Sequence, residues 1–309
     1  MDGILIIDKP AGITSHDVVA RCRRILRTKR IGHTGTLDPF ATGVMVILVG
    51  RATRLARFLE RDAKEYEAVV RLGFETDTGD KTGELRITNY ELRSVTDEEI
   101  EIVLKDFRGE IRQTPPMFSA KKIAGKKLYE LARQGIEIER EAIKINVYEL
   151  ERLNSTSDFK PEIGSRKPET AFSDFKLRVS CSAGTYIRTL AEDIGKRLET
   201  GAHLAALRRT RAGKFDVKNS ATLEKLEEIV AADKLDGVLV SMNQAVSHLP
   251  EIKLSNEDAA KIKNGVRLTV DLTMLADKDF VRLIENENLV AVAVYEKSEK
   301  TIRPKVVLL

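Results

Sequence analysis

At 309 residues the chain exceeds the size at which single hydrophobic cores usually stop growing, so we expect one large domain and one small domain. Hydrophobic residues make up 42% and charged residues 32% of the sequence, a composition that excludes a disordered chain. The net charge of +4 suits a polyanionic partner without requiring one, and two widely spaced cysteines exclude a disulfide framework or a cysteine-rich zinc site.

The first predicted elements are a strand, a turn and a basic helix. An apolar run at residues 4–7 ends at a Pro-Ala-Gly turn, which predicts a strand. Ser15 occupies an N-cap position, and apolar residues recur at helical spacing over residues 18–26. The arginines between them fall on the opposite face, so we expect an amphipathic helix with a basic surface.

A segment rich in Gly and Thr follows this helix. Residues 32–43 contain the dipeptide Asp38-Pro39 and predict a loop, and residues 44–49 predict an apolar strand after it. On local sequence alone, an Asp before Pro in such a loop is far more often a turn former than a catalytic group. Asp38 is therefore a candidate whose role depends on its partners.

The middle of the chain alternates strand and helix patterns. Residues 66–72 and 175–181 alternate apolar and polar side chains, which predicts two strands. The acidic segment 75–84 lacks calcium-loop spacing, so we interpret it as a solvated turn. Thr185 is placed to cap a helix that holds Arg188 in its first, electropositive turn. The polar residues 154–170 predict a surface loop.

Residues 249–309 differ from the rest of the chain in their pattern of predicted secondary structure. A short helix is predicted over residues 256–263, and strands are predicted over 280–284 and 289–295. A mostly β pattern of this length indicates a small barrel-like module. We therefore divide the chain into residues 1–248 and 249–309.

The basic residues are clustered in a way that favours a nucleic-acid partner. Each cluster alone is most simply a solvated face, but together the three read as an electrostatic footprint for a phosphate backbone. They lie at residues 21–30, 121–127 and 208–214. No apolar stretch has the length of a signal peptide or a membrane span, so we expect a cytoplasmic protein that does not contact the membrane.

The segment Gly35-Thr36-Leu37-Asp38-Pro39-Phe40-Ala41-Thr42-Gly43-Val44 resembles, almost residue for residue, the catalytic-aspartate motif of the TruB family of tRNA pseudouridine-55 synthases. Further segments resemble that family's motifs in the same order, at residues 9–15, 64–66, 76–78, 113–122, 182–190 and 201–210. The C-terminal residues resemble, more loosely, the PUA module, an RNA-binding pseudo-barrel.

The resemblance implies an α+β fold. Its catalytic domain would have a mixed, mainly antiparallel sheet flanked by helices, with an RNA-clasping insertion at about residues 117–147, followed by a PUA-like β pseudo-barrel. The implied reaction converts the T-loop uridine of tRNA to pseudouridine. It implies no cofactor, no metal ion and no protein partner, and we expect a monomer.

The resemblance also implies roles for individual residues. Asp38 would be the catalytic carboxylate, attacking C1′ or C6 or removing the C2′ proton, three steps between which the sequence does not choose. Arg188 would hold its charge and lower its pKa, and Tyr66 would stack on the extruded base or move a proton. His33 would fill the space that the base leaves. The other expected substrate-binding residues are Lys9, Lys64, Lys126, Lys127, Tyr186, Leu207, Arg208 and Arg209.

Two alternatives remain at this point. A guide-RNA-dependent pseudouridine synthase subunit would need protein partners, and the long insertion with a small C-terminal module favours the stand-alone enzyme instead. A tRNA-folding chaperone with incidental catalysis would share every basic residue. It would have no need of a carboxylate beside the target phosphates, so Asp38 distinguishes the two.

Overall fold

The structure is a computed structural model that describes residues 1–86, 90, 93–119, 121–123, 125–153, 173–270 and 275–308. The loop predicted at residues 154–170 lies outside the described residues. Within the described ranges, no helix is long and apolar enough to cross a membrane.

The secondary structure alternates strands and helices along the chain. The strands are β1 Gly3–Lys9, β2 Ile31–Thr34, β3 Thr42–Val49, β4 Lys64–Leu72, β5 Glu75–Thr76, β6 Leu85–Arg86, β7 Gly109–Gln113, β8 Lys122–Ile123, β9 Lys126–Lys127, β10 Ile143–Leu153, β11 Asp174–Cys181, β12 Ala202–Ala212, β13 Phe215–Asp216, β14 Glu251–Lys253, β15 Leu268–Thr269, β16 Phe280–Glu285, β17 Asn288–Glu296 and β18 Thr301–Val307. The α-helices are α1 Ser15–Ile25, α2 Ala56–Leu59, α3 Asp97–Asp106, α4 Leu128–Ala132, α5 Ile187–Arg197, α6 Leu223–Ala231, α7 Met242–Ala245 and α8 Asn256–Lys263. Short 3-10 helices lie at Gly50–Leu55, Val217–Asn219 and Leu235–Gly237.

The larger sheet is mixed and mainly antiparallel, as predicted. Its strands follow the order β1-β3-β12-β4-β11-β10-β7, with β2 paired to β3 and β13 paired to β12. The pairing of β12 with β3 is parallel, and the other pairings along this path are antiparallel. This arrangement confirms the expected α+β fold and brings β12 and β4 to the middle of the sheet.

Strand β3 is an apolar run over residues 44–49 because both of its faces are buried. In β3, Met45 and Ile47 belong to a cluster with residues of α1, α5 and α6. The alternate residues Val44 and Val46 belong to a second cluster with residues of α2, α7 and the C-terminal strands. Since successive side chains of a strand point to opposite faces, a strand covered on both sides reads as a continuous apolar run.

The C-terminal residues form a smaller sheet with the order β14-β16-β17-β18-β15. The predicted helix and both predicted strands are confirmed as α8, β16 and β17. One set of its buried residues packs around Ile262 of α8. Others, among them Leu289 and Val306, join the second cluster of the larger sheet. The C-terminal module is therefore packed directly against the larger sheet.

Three local predictions were wrong. The N-cap of α1 is Thr14, which forms a capping box with Asp17, so the hydroxyl of Ser15 is free for another contact. The helix at Arg188 has Tyr186 as its N-cap without a side-chain bond, and Thr185 bonds Ser182 instead. Part of the predicted loop 32–43 is strand β2, because it pairs with β3 despite its Gly and Thr content.

Replacing Gly43 should disrupt the contact between β3 and β12. Its φ is +103°, and a Cβ there would lie 2.1 Å from the carbonyl oxygen of Arg209. We expect Gly43→Ala to lower the free energy of unfolding by more than about 2 kcal/mol, measured by urea denaturation. Gly109→Ala is the matched control, because φ is +83° and no described atom lies within 4 Å of the added Cβ, leaving backbone strain of about 1 kcal/mol. Equal losses in both variants would contradict the close approach.

Candidate active site

The loop that carries Asp38 joins β2 to β3, and buried polar side chains bind its backbone. Ser15, 1% exposed, donates from Oγ to the carbonyl oxygen of Leu37 at 3.0 Å and accepts from the Leu37 amide at 2.9 Å. The ammonium of Lys9 donates to the carbonyl oxygens of Pro39 at 3.1 Å and Ala41 at 2.7 Å. Both residues next to Asp38 are thus fixed through their backbones.

Lys9 and Arg209 are buried cations that serve this loop. Lys9 is fully buried, and burial lowers its pKa to about 8, which leaves the ammonium mostly charged at neutral pH. Arg209, 1% exposed, donates to the carbonyl oxygens of Gly35 at 2.8 Å and Val44 at 2.7 Å. Its guanidinium therefore ties the two ends of the loop to β12.

Asp38 and Arg188 form a two-point ion pair. The Nε atom of Arg188 lies 2.9 Å from Oδ2 of Asp38, and its Nη2 atom donates to Oδ1 at 3.1 Å. The Arg188 side chain is 6% exposed, whereas that of Asp38 is 33% exposed. A guanidinium that meets both oxygens fixes the plane of the carboxylate while one side of it stays open. The sequence expectation that these residues are partners agrees with this geometry.

Arg188 also contacts three further groups. It donates to the carbonyl oxygens of Thr78 at 2.8 Å and Phe118 at 2.7 Å, and its Nη1 lies 3.9 Å from Oδ2 of Asp80. Asp80 is 4% exposed and accepts from the amide of Thr82 at 2.9 Å. The sequence interpretation of this segment as a solvated turn was wrong for Asp80, because the turn folds onto β12 and α5. The adjacent motif at residues 76–78 was the available signal.

The pKa of Asp38 is set by opposing effects. Burial raises the pKa above its ordinary value and is the largest effect, while the charge and hydrogen bond of Arg188 lower it. The charge of Asp80 adds to the rise, and that of Lys9 opposes it. The net direction is upward, whereas the sequence predicted a lowered pKa. The missing factor was desolvation, which a linear sequence does not reveal.

A cavity of about 240 Å³ opens beside the Asp38 carboxylate. This volume lies below the range typical of drug-sized ligands, so it suits one nucleotide base. Its wall includes Tyr66 and Leu207, both less than a tenth exposed, and burial raises the pKa of Tyr66, so that the phenol is neutral. Its lining residues are Gly35, Thr36, Leu37, Asp38, Glu60, Lys64, Tyr66, Ser119, Ser182, Ala183, Gly184, Thr185, Tyr186, Ile187, Arg188, Leu207 and Arg209.

Gln113 positions the start of α5 and was not predicted as a site residue. It is 1% exposed, accepts from the amide of Tyr186 at 2.8 Å and donates to the carbonyl oxygen of Tyr186 at 3.0 Å. This pair of bonds fixes the peptide two residues before Arg188. Gln113 lies within the family-like segment 113–122, but nothing in its local sequence indicates that it binds another peptide.

His33, Arg208, Lys126 and Lys9 are not among the described residues that line the cavity. The ring of His33 packs edge-on against His16 with centroids 5.6 Å apart, and burial lowers the pKa of His33 to about 4, so the imidazole is neutral. Arg208 forms a two-point pair with Asp8 at 2.7 and 3.1 Å. Lys126 is exposed on β9, and Lys127 follows it on the same strand. Lys9 has no exposed surface, so any part it takes in binding is indirect.

In the described part of the chain, no group of three or more His, Cys, Asp and Glu side chains is placed to hold a metal ion.

The chain is similar to known proteins over almost its whole length. Residues 23–187 match the family model described as TruB family pseudouridylate synthase (N terminal domain), and residues 188–247 match tRNA pseudouridylate synthase B C-terminal domain. The chain is 44% identical over 297 residues to tRNA pseudouridine synthase B of Geobacillus thermodenitrificans, which covers 96% of this chain and 95% of that protein. The protein of the same name from Bacillus anthracis is 42% identical over 300 residues, covering 97% and 94%.

Solved structures are also similar to this chain over nearly its whole length, at lower sequence identity. A chain of a Cbf5-Nop10-Gar1 complex is 28% identical with a TM-score of 0.73, covering 99% of this chain and 85% of that one. A chain of an H/ACA RNP bound to a substrate RNA containing 2'-deoxyuridine is 26% identical with a TM-score of 0.71 and the same coverage. Similarity at this level extends over both sheets.

Ser15→Ala tests the anchoring of the loop. It removes the hydroxyl that bonds both backbone groups of Leu37, and we expect a loss of about 1–3 kcal/mol in the free energy of unfolding. We also expect faster hydrogen exchange at the Leu37 amide, measured by NMR. Thr96→Ala removes the N-cap of α3 at a cost of about 1 kcal/mol and should leave exchange at Leu37 unchanged. Unchanged exchange in Ser15→Ala would refute the anchoring role.

Proposed function

The chain belongs to the TruB family of pseudouridylate synthases, and we propose that Asp38 is the carboxylate with which it converts a T-loop uridine of tRNA to pseudouridine. Like the relatives to which it is 42% and 44% identical, it is a tRNA pseudouridine synthase and therefore an isomerase. One observation supports the choice of carboxylate above all: Arg188 holds Asp38 at two points on the wall of a base-sized cavity.

The reaction rearranges bonds within one nucleoside. The N1–C1′ bond breaks, the base turns within the cavity, a C5–C1′ bond forms, and the base loses the proton on C5 while N1 gains one. An ionised carboxylate can begin this sequence by attacking C1′, by attacking C6 or by removing the C2′ proton. Each of these steps needs the carboxylate within reach of the glycosidic bond, since C1′, C2′ and C6 all lie within two bonds of N1.

The proposed position of the base is against Tyr66. A uridine within a folded loop must leave its stack to be reached, and aromatic or apolar side chains then replace its neighbours. Tyr66 and Leu207 supply that surface on adjacent strands β4 and β12. Because burial keeps the phenol neutral, its hydroxyl is able to donate a hydrogen bond to the base. Tyr186 and Lys64 complete the proposed pocket.

The other proposed contacts concern the RNA backbone. We assign Lys126 and Lys127 of the insertion at about residues 117–147, together with Arg208, to phosphates of the T-stem-loop. His33 is assigned to the space left by the extruded base, where a neutral ring can stack. Lys9 and Arg209 are assigned an indirect role, because their donors are already bonded to the backbone around Asp38.

The remaining features concern domains and setting. We propose that residues 1–248 form the catalytic domain and residues 249–309 a PUA-like RNA-binding domain, on the basis of the separate C-terminal sheet. We further propose that the enzyme acts in the cytoplasm as a monomer without cofactor or metal ion.

The stand-alone enzyme is favoured over the alternatives. The chains of H/ACA particles are 26% and 28% identical, whereas proteins named tRNA pseudouridine synthase B are 42% and 44% identical over nearly the whole chain. The β8–β9 hairpin and α4 occupy the predicted insertion, which supports a tRNA-clasping role. A pure chaperone has no use for a carboxylate that stays one-third exposed on the wall of a base-sized cavity, beside the target phosphates.

The decisive experiment incubates the purified protein with an unmodified tRNA transcript, without cofactor or guide RNA, and then maps pseudouridine. We expect product at the T-loop uridine with wild type. Asp38→Asn should form no detectable product, because an amide neither attacks carbon nor takes a proton, while tRNA binding stays close to wild type. A wild-type protein without product, or undiminished product with Asp38→Asn, would overturn the proposal.

The pH dependence of the rate tests the environment of Asp38. The ionised form is active, so the rate falls as pH is lowered through the pKa of Asp38, and burial places that midpoint above the value of an ordinary aspartate. Arg188→Gln removes a charge that lowers this pKa, so its midpoint should move to higher pH and its turnover should fall about 100-fold or more.

Arg188→Lys is the control for this variant, because it keeps the charge and loses the two-point geometry. Single-turnover rates across the acid range give the midpoints, and tRNA affinity is measured in parallel. Arg188→Lys should retain the wild-type midpoint more closely than Arg188→Gln does. Equal losses of turnover and binding with an unshifted midpoint would mean that Arg188 is mainly a phosphate contact.

A further inference from the structure

The segment around Asp38 has an unusual charge distribution. From residue 18 to residue 59 the only acidic side chain is Asp38. The basic residues in the same stretch are Arg21, Arg23, Arg24, Arg27, Lys29, Arg30, Arg51, Arg54 and Arg57. In the structure they lie in the second half of α1, between α1 and β2, in the 3-10 helix Gly50–Leu55 and in α2. Positive charge thus collects on neighbouring elements beside the loop.

Five exposed arginines of this region and Arg61, which follows it, form a group that we call the arginine strip: Arg24, Arg27, Arg30, Arg54, Arg57 and Arg61. Within the part of the chain that the structure describes, none of them has a carboxylate within 4.0 Å. Arginines elsewhere commonly do, as in Arg71 with Asp174 at 2.8 Å and Arg197 with Asp106 at 3.2 Å. The charges of the strip are therefore not neutralised by the fold.

Hydrogen bonds join Arg30 to the 3-10 helix that carries Arg54. The Nε atom of Arg30 donates to Oγ1 of Thr53 at 3.3 Å, which joins the start of β2 to the 3-10 helix. The amide of Gly50 also donates to the carbonyl oxygen of Arg30 at 2.8 Å. Arg54 lies in the 3-10 helix, Arg57 in α2 and Arg61 in the turn after α2, so these three arginines follow one another along a single stretch of chain.

One end of the strip lies at the cavity. Arg61 follows Glu60, which lines the cavity together with Lys64. The ammonium of Lys64 donates to the carbonyl oxygen of Glu60 and fixes this segment beside the opening. From Arg30, strand β2 leads to the Asp38 loop over roughly 13 Å, the length of four strand residues. The strip therefore starts at the cavity and extends away from it.

We infer that the arginine strip binds the phosphate backbone of a tRNA stem outside the T-loop. The guanidinium group matches phosphate oxygens at two points, and arginines without internal carboxylates are available to make such bonds. A row that begins at the cavity suits an RNA whose extruded base occupies the cavity and whose flanking duplex extends over the protein surface. This inference rests on the proposed function, because it takes tRNA as the substrate.

The test compares two double variants that each remove two positive charges. Arg27→Gln with Arg57→Gln removes two arginines of the strip that lie away from its cavity end at Arg61. Lys196→Gln with Arg197→Gln is the control, since these side chains are 50% and 65% exposed in the last turn of α5, about 14 Å along the helix from Arg188. Circular dichroism and thermal unfolding should show both variants folded, because all four side chains are exposed.

Affinity is measured over a range of salt concentrations for a full-length tRNA transcript and for a short hairpin that holds only the T-loop and its closing base pairs. For full-length tRNA, we expect the strip variant to bind about tenfold more weakly and its salt slope to fall by about 1–2, as for the loss of two phosphate contacts. The control should keep the wild-type slope. For the hairpin, the strip variant should differ little from wild type.

Two outcomes would overturn the inference. Equal slopes for the strip variant and the control on full-length tRNA would remove the strip from the RNA interface and leave it for an acidic protein partner. Equal weakening on hairpin and full-length tRNA would place the contact within the T-loop. Failure of the proposed function appears separately, as wild-type protein that forms no pseudouridine in the same transcript.

Discussion

The site depends on a buried guanidinium that must be neutralised. Arg188 is 6% exposed and stands in the first turn of α5, where the helix dipole disfavours a cation. Removing such a charge from water costs several kcal/mol unless it is paired and fully hydrogen-bonded. Asp38, Asp80 and the carbonyl oxygens of Thr78 and Phe118 supply the partners. Three distant segments must therefore meet at Arg188, and the proposed catalytic carboxylate is one of those partners.

Buried polar groups that need hydrogen-bond partners also explain how the Asp38 loop is held. Leu37 and Phe40 anchor the loop in the core, but the backbone groups of an irregular loop have few partners within it and have to be bonded from the surrounding elements. Ser15, Lys9 and Arg209 do this from α1, β1 and β12, each almost fully buried. The buried cations near the site thus bond carbonyl oxygens, and their role is to position the loop that meets Arg188.

The spacing of apolar residues predicts the strands and helices whose burial pattern is visible within their own sequence. Strand β3 is an apolar run because both its faces are covered, and α5 shows helical spacing because one face is covered. The pairing of Asp38 with Arg188 spans 150 positions and followed from the family resemblance rather than from any local pattern. Asp80 and Gln113 were missed because their burial arises only when the turn and β7 fold against α5 and β12. The N-cap at Ser15 was misassigned because Thr14 offers an equivalent hydroxyl.

The role of a charged residue in this protein is indicated by the groups it contacts, not by the net charge of the chain. A net charge of +4 over 309 residues says little about binding. Arg188 and Arg209 are bonded within the fold and set the geometry around the cavity, whereas the arginines of the strip are exposed and have no carboxylate within 4.0 Å among the described residues. The Asp38 carboxylate is disfavoured in its ionised form by burial, by the charge of Asp80 and, once RNA is bound, by the phosphates. The two-point contact from Arg188 opposes these effects at short range, where salt screens it little, while the exposed arginines attract RNA at longer range.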